Sequence, residues 1–155
     1  MLYEKLLREA EQQGVDIYEK PMPSTFKGLY KDSVIWINKH IPTNTEKACI
    51  LAEEIGHHFT SVGNILDQRK FSNRKQEKLA RNWAYEKLVP LSKIVQAHHV
   101  CVKNRYELAE FCGVTEQFLD DALKRYQEKY GVSVSYGKYI ICFEPLGVLE
   151  QFEEE

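Results

Sequence analysis

Thr43-x-x-Glu46 is a capping-box signature, and the residues after it keep a helical period to about Phe59. At 100° per residue, Ala48, Leu51, Ala52, Ile55 and Phe59 fall in a stripe about 100° wide, the width a helix buries against a core. That stripe obliges the rest of the chain to cover one side of this helix. The other side carries titratable groups: with Ala48 at zero, Glu53, His57 and Glu54 lie at about 140°, 180° and 240°. Glu53 and His57 stack one turn apart, and Glu54 sits on their flank. Two ligand-type residues one turn apart, with a carboxylate beside the first, is the geometry of H-E-x-x-H zinc hydrolases, here with Glu53 in the place of the first histidine. The same string also reads as a solvated polar face. Two residues argue for cover. Gly56 in mid-helix costs about 1 kcal/mol relative to alanine unless something packs close to it. Ile50 falls at about 200°, inside the polar arc.

A second helix, ending near Pro90, supplies a further carboxylate. With Glu77 as origin, Ala80, Ala84 and Leu88 lie within about 60° of it, a narrow face of small apolar residues suited to close helix packing. A carboxylate in line with that face is expected to be buried, and burial demands a metal, an arginine or a helix terminus as partner. Around these two helices the chain reads as α+β: a helical body with short antiparallel strands. Leu2, Leu6 and Ala10 mark an opening helix that stops before Gly14, and Val15–Tyr18 alternates as a strand. Phe26–Tyr30 and Val34–Asn38 form a hairpin across Lys31-Asp32-Ser33. Ser92 to about Val100, Arg105–Cys112 and Glu116–Tyr130 are helical, with Gly113 and Gly131 at C-terminal caps. Val132–Ser135 and Tyr139–Glu144 return to strand across Tyr136-Gly137-Lys138. The organisation is one domain over 1–155, with strands and motif helices in 28–90, a helical subregion in 91–131 and a C-terminal hairpin and acidic tail in 132–155. Thr60–Asn73 is long enough for a flap over a site or for a plain connector.

With 155 residues, 21 basic against 23 acidic side chains and a net charge of −2, the chain lacks the basic excess that coating nucleic acid or an anionic membrane requires. No apolar run approaches the roughly 20 residues of a membrane span, and the charged N-terminus is not a signal peptide. Cys49, Cys101, Cys112 and Cys142 form no CxxC pair and read as reduced, mostly buried thiols of a cytoplasmic protein.

Leu51-Ala52-Glu53-Glu54-Ile55-Gly56-His57-His58-Phe59-Thr60 resembles the active-site helix of ImmA/IrrE-type metallopeptidases. Glu77-x-x-Ala80-x-x-Trp83-Ala84-x-x-x-Leu88-Val89-Pro90 resembles their second motif, which supplies the third ligand. The preceding hairpin and the helical stretch to Gly131 share the likeness, which covers residues 28 to 131. The resemblance implies a cytosolic metallo-endopeptidase with a zincin-like active-site helix. Its best known relatives are often encoded on phages and mobile elements, and cleave or inactivate a helix-turn-helix repressor. It makes His57 and Glu77 metal ligands, puts Glu53 in the first ligand position and makes Glu54 the general base. Most of the family has histidine where Glu53 stands. Glutamate oxygen is an acceptable zinc ligand, and a second carboxylate shifts preference from Zn2+ toward Mn2+. The implied chemistry is metal-assisted hydrolysis of a peptide bond, Glu54 taking the proton of the attacking water. Tyr85, His98 and His99 are candidates by type for stabilising the oxyanion; His58 reads as a neighbour of the ligand or a surface residue.

Two other functions stay open. Glu107–Leu119 has a helix-turn-helix look, but Glu116, Gln117, Asp120 and Asp121 near the start of its second helix oppose phosphate contact. Alternatively, the Glu53 substitution fits a catalytically weak anti-repressor that grips its target without cutting it. For the peptidase and for the anti-repressor the expected partner is a protein, a helix-turn-helix repressor, with no direct nucleic acid and no membrane; oligomeric state is left open.

Overall fold

The computed structural model describes residues 1–60 and 70–152, with side chains in the second stretch described from residue 74 onward. Its elements run α1 (Leu2–Gln12), β1 (Asp16–Lys20), β2 (Gly28–Lys31), β3 (Val34–Asn38), α2 (Asn44–Thr60), α3 (Lys70–Leu88), α4 (Leu91–His99), α5 (Arg105–Cys112), α6 (Glu116–Tyr130), β4 (Ser133–Tyr136), β5 (Tyr139–Phe143) and β6 (Leu146–Glu150). The class is α+β, as the sequence predicts. The chain divides into two compact units, Met1–Ala84 and Tyr85–Glu155, so the boundary falls inside α3.

In the first unit the strand order is β1-β3-β2. β2 and β3 are the expected hairpin, antiparallel with Gly28 opposite Ile37 and Tyr30 opposite Ile35. Asp32 and Ser33 both take positive φ, 50° and 63°, the conformation a two-residue hairpin turn needs to follow the strand twist. β1 pairs with β3 in parallel, Ile17 opposite Ile35, so this sheet is mixed rather than wholly antiparallel. Alternation predicts a strand but not its direction; here β1 takes the side of β3 that the hairpin leaves open.

Asn38, the one buried polar residue of the described core, ties down the segment before the hairpin. Its amide donates to the carbonyls of Met22 (3.1 Å) and Phe26 (2.8 Å) and accepts from the backbone of Met22 and His40. These bonds fix where β2 begins. Thr43 caps α2 by accepting from the Glu46 amide at 3.1 Å, while the Glu46 carboxylate pairs with Lys27 at 3.2 Å. Ala48, Leu51, Ala52 and Ile55 are buried as the stripe requires. Phe59 departs from the expected core face: it is 45% exposed and stacks on Trp83 of α3, ring centroids 5.3 Å apart.

In the second unit Asn104 caps α5, Thr115 caps α6, and Gly113 closes α5 with φ 72°. The Tyr126 hydroxyl donates to the Val89 carbonyl at 2.7 Å, fastening α6 to the segment between α3 and α4. β4, β5 and β6 form an antiparallel meander. β6 was not expected: Pro145 and Gly147 read as turn residues. All four cysteines are unbridged; Cys49 and Cys112 are buried, whereas Cys101 is exposed and Cys142 partly so. No helix among the described residues is long and apolar enough to cross a membrane. Most of the segment 60–73, read as a flap or connector, lies outside the described residues, and α3 already begins at Lys70.

Candidate metal centre

Both hints of cover on α2 have a structural cause. A Cβ at Gly56 would collide with the backbone carbonyl of Ala80, so the glycine is what lets α3 approach α2. Ile50 is buried because β2 crosses the polar arc. A Cβ at Gly28 would stand 2.9 Å from Ile50 Cγ2 and 3.1 Å from Glu54 Cγ. β2 then tracks the helix in step: two residues on, the Tyr30 hydroxyl lies 2.8 Å from His58 Nδ1. A strand advances about 6.7 Å in two residues and a helix about 6 Å in four, so Gly28 meets Glu54 and Tyr30 meets His58 without strain.

The Glu-Glu and His-His doublets therefore make two parallel stacks on α2. Glu54 and His58 face β2. The neighbouring row, Glu53 and His57, contains the residue that meets α3: His57 Nε2 lies 3.1 Å from Glu77 Oε1. His57 is largely covered, its side chain 16% exposed, whereas Glu77 is 52% exposed. The burial expected of Glu77 is thus corrected, because it stands a turn before the alanines that are buried, Ala80 and Ala84.

Electrostatics follow from this packing. Burial pushes the Glu54 carboxyl up to about 7, the nearby His57 opposing the rise and Glu77 and Glu53 adding to it. The hydrogen bond to Glu77 raises the His57 imidazole above its ordinary value, against the effect of burial. The same bond holds the Glu77 carboxyl below its ordinary value. The site thus combines a half-buried carboxyl titrating near neutrality with an adjacent imidazole–carboxylate pair, the environment in which general bases are tuned.

The donor set can be tested against a metal. Two donors of one tetrahedral ion, each about 2.0–2.1 Å from it, stand roughly 3.3 Å apart. The His57–Glu77 separation of 3.1 Å fits that requirement. Glu53 is one turn before His57 and close enough to act on the titration of both His57 and Glu54. Among the described residues, however, no group of three or more His, Cys, Asp and Glu side chains converges as a ligand set. Two of the three sequence-predicted ligands are together, with the predicted base Glu54 on the adjoining flank.

The three oxyanion candidates belong to the second unit and have partners there. Tyr85 is buried edge-on against Phe118, His99 Nε2 lies 2.8 Å from the Tyr139 hydroxyl, and the His98 ring stands beside both His99 and Tyr139. Two residues with a role at the site had been assigned none. A glycine inside a strand marks close backbone approach, and its i+2 neighbour shares its face; that signal identifies Gly28 and Tyr30.

No curated protein matches this chain. The family model described as the IrrE N-terminal-like domain, peptidase M78, matches residues 10–124. That span takes in both motif helices, the hairpin, α4, α5 and the first part of α6, and the chain belongs to the IrrE N-terminal-like peptidase M78 family.

Proposed function

We propose that this protein is a metal-dependent endopeptidase that cleaves or inactivates a helix-turn-helix repressor of a phage or mobile element. The observation that carries the reading is the 3.1 Å contact between His57 and Glu77 beside the half-buried Glu54. Membership of a peptidase family supports hydrolysis in general; the repressor rests on the resemblance of the motifs alone. His57 and Glu77 would hold the ion, zinc or manganese, with Glu53 as third donor. The ion, when bound, supplies polarisation of a water molecule. Glu54, held under β2 and titrating near neutrality, accepts the proton of the attacking water and returns it to the leaving amine. β2 stands at the end of its sheet among the described residues, so an extended peptide paired along it would lie beside Glu54.

Glu53 in the position where most of the family has histidine supports one alternative: an anti-repressor that binds its target without hydrolysing it. DNA binding by α5 and α6 is disfavoured by the exposed Glu116 and Gln117 at the start of α6 and by Asp120, which pairs with Arg105 at 2.7 Å.

Metal content by mass spectrometry of the untagged protein, with Glu53→Ala, His57→Ala and Glu77→Ala, tests the site. About one zinc or manganese ion per chain, lost in all three variants with circular dichroism unchanged, is the expected result. No bound metal after soaking with both ions would sink the peptidase reading. Glu54→Gln then separates cutting from gripping: relief of repression by this variant at the wild-type level supports gripping.

A further inference from the structure

Hydrogen-bond parity along β6 leaves one side of that strand unpaired. Its register with β5 continues to Gln151, whose amide donates to the Lys138 carbonyl at 2.7 Å. In an antiparallel pair such bonds recur at every second residue, so Gly147, Leu149 and Gln151 turn their backbone groups toward β5. Leu146, Val148 and Glu150 turn theirs the other way, where β6 ends its sheet. Among the described residues no backbone hydrogen bond reaches these outward groups. The edge is also unguarded. Edge strands are commonly kept from pairing by charge or proline, as β1 is by Asp16, Glu19 and Lys20, and Leu146–Leu149 has neither.

The strand is complementary to itself. Turned about a two-fold axis at Val148, a second copy of β6 pairs antiparallel with the first, Val148 against Val148 and Leu146 against Glu150. These are the outward residues, so each finds a partner, in up to about six hydrogen bonds. Gly147 of each copy then falls opposite Leu149 of the other, in the closer, non-hydrogen-bonded position. A Cβ on Gly147 would meet nothing within 4 Å and its φ is not positive, so nothing within one chain calls for glycine there. Leu149 is 60% exposed, and the pairing lays it across that glycine. Glu150, the one charged residue of β6, meets Leu146 and not its own copy, so no like charges oppose. On the other face Leu146 and Val148 stand beside Phe143 and Ile141 of β5. The same two residues of a second copy extend this apolar face over the open groove that Ile94, Ala97, Val102 and Leu108 partly line.

We propose that the chain forms a two-fold dimer with a second copy through the free edge of β6, continuing one three-stranded sheet into the other. A contact five residues long, about 17 Å, lies at the small end of protein interfaces, so the dimer forms and dissociates with concentration. β4 is the poorer edge. Only Ser133 and Ser135 turn outward there, and pairing β4 to β6 would add copies without closing. The inference is independent of the hydrolytic reading of the first unit.

The test is sedimentation of the full chain over about a hundredfold range of concentration, beside amide hydrogen exchange read by NMR. A monomer–dimer equilibrium is expected, in which the amides of Leu146, Val148 and Glu150 exchange more slowly as the dimer fills. Those of Gly147 and Leu149, already bonded to β5, should change least. Val148→Pro removes an outward N–H and no bond within the sheet, so it should keep the fold by circular dichroism and sediment as a monomer throughout. Should that variant misfold, Leu149→Lys sets a charge at an exposed position and should weaken association at least about tenfold. A chain monomeric at every concentration, with the edge left for a strand of some other protein, would overturn the proposal. So would oligomers that grow beyond the dimer, or a dimer in which the three outward amides exchange as fast as in the monomer. Association unchanged by Val148→Pro or, where that variant misfolds, by Leu149→Lys would do the same.

Discussion

Replacing Glu54 with glutamine should stabilise the metal-free protein, and by an amount that depends on pH. In the folded chain Glu54 keeps its proton up to about pH 7, against an ordinary value of 4.5. An acid whose folded pKa is raised binds more protons folded than unfolded between those two values. Stability therefore falls as pH rises from 4.5 to 7 and stays low above it. The difference of about 2.5 units corresponds to roughly 3 kcal/mol, which water reaching the half-buried group reduces to about 1–3 kcal/mol. Glutamine fills the same space under Gly28 and cannot ionise. Trp36 and Trp83 are the two tryptophans, and both lie in the first unit, so their fluorescence in urea, with chelator present, reports on the unit that holds the site. The variant and the wild type should unfold at similar urea concentrations near pH 4.5, and the variant at higher urea from pH 7 upward. A gap that does not change with pH, or a variant less stable above pH 7, would refute the claim that burial of Glu54 is what raises its pKa.

Other outcomes follow from the same geometry. Gly56→Ala should destabilise by about 1–3 kcal/mol despite alanine's better helix propensity, because its Cβ meets the Ala80 carbonyl; thermal unfolding measures it. Tyr30→Phe should cost about 1 kcal/mol by removing the hydroxyl bond to His58, and fluorescence-detected unfolding reads the loss. Glu77→Gln should lower the titration midpoint of His57 toward 6.5, seen by NMR in the metal-free protein. The intact pair stabilises most between 4.5 and 6.5. Glu77's share is lost as pH falls through its lowered value, and His57's as pH rises through its raised one. Addition of zinc should abolish the pH dependence of the Glu54 gap, since a nearby cation favours the ionised carboxylate; no change on saturation with zinc would place the ion elsewhere.

Much of the site was legible because helical periodicity is strict. The angles around α2 put Glu53, Glu54 and His57 opposite the core stripe, and Gly56 and Ile50 announced cover before any covering element was known. Periodicity assigns residues to faces but does not say which element will occupy a face. It could not reveal that β2 lies on the Glu54 row and α3 on the His57 row, nor that Glu77 stands short of the buried part of its own helix. Strand direction was similarly hidden, since β1 pairs with β3 in parallel although both read as simple alternating runs. β6 escaped because Pro145 and Gly147 are turn residues by composition, and only pairing with β5 makes Leu146–Glu150 a strand.

The division of α2 between two neighbours has a mechanical consequence. The environment of Glu54 is set by the height of a strand over one row, and the His57–Glu77 contact by the approach of a helix to the next row. Sliding α3 along the Gly56–Ala80 contact would move Glu77 against His57 and would reach Glu54 only through the charges of that pair. Lifting β2 would retune the acidity of Glu54 and spare the His57–Glu77 contact. The strand thus bears on one row directly, whereas the helix bears on its own row by contact and on the other through charge.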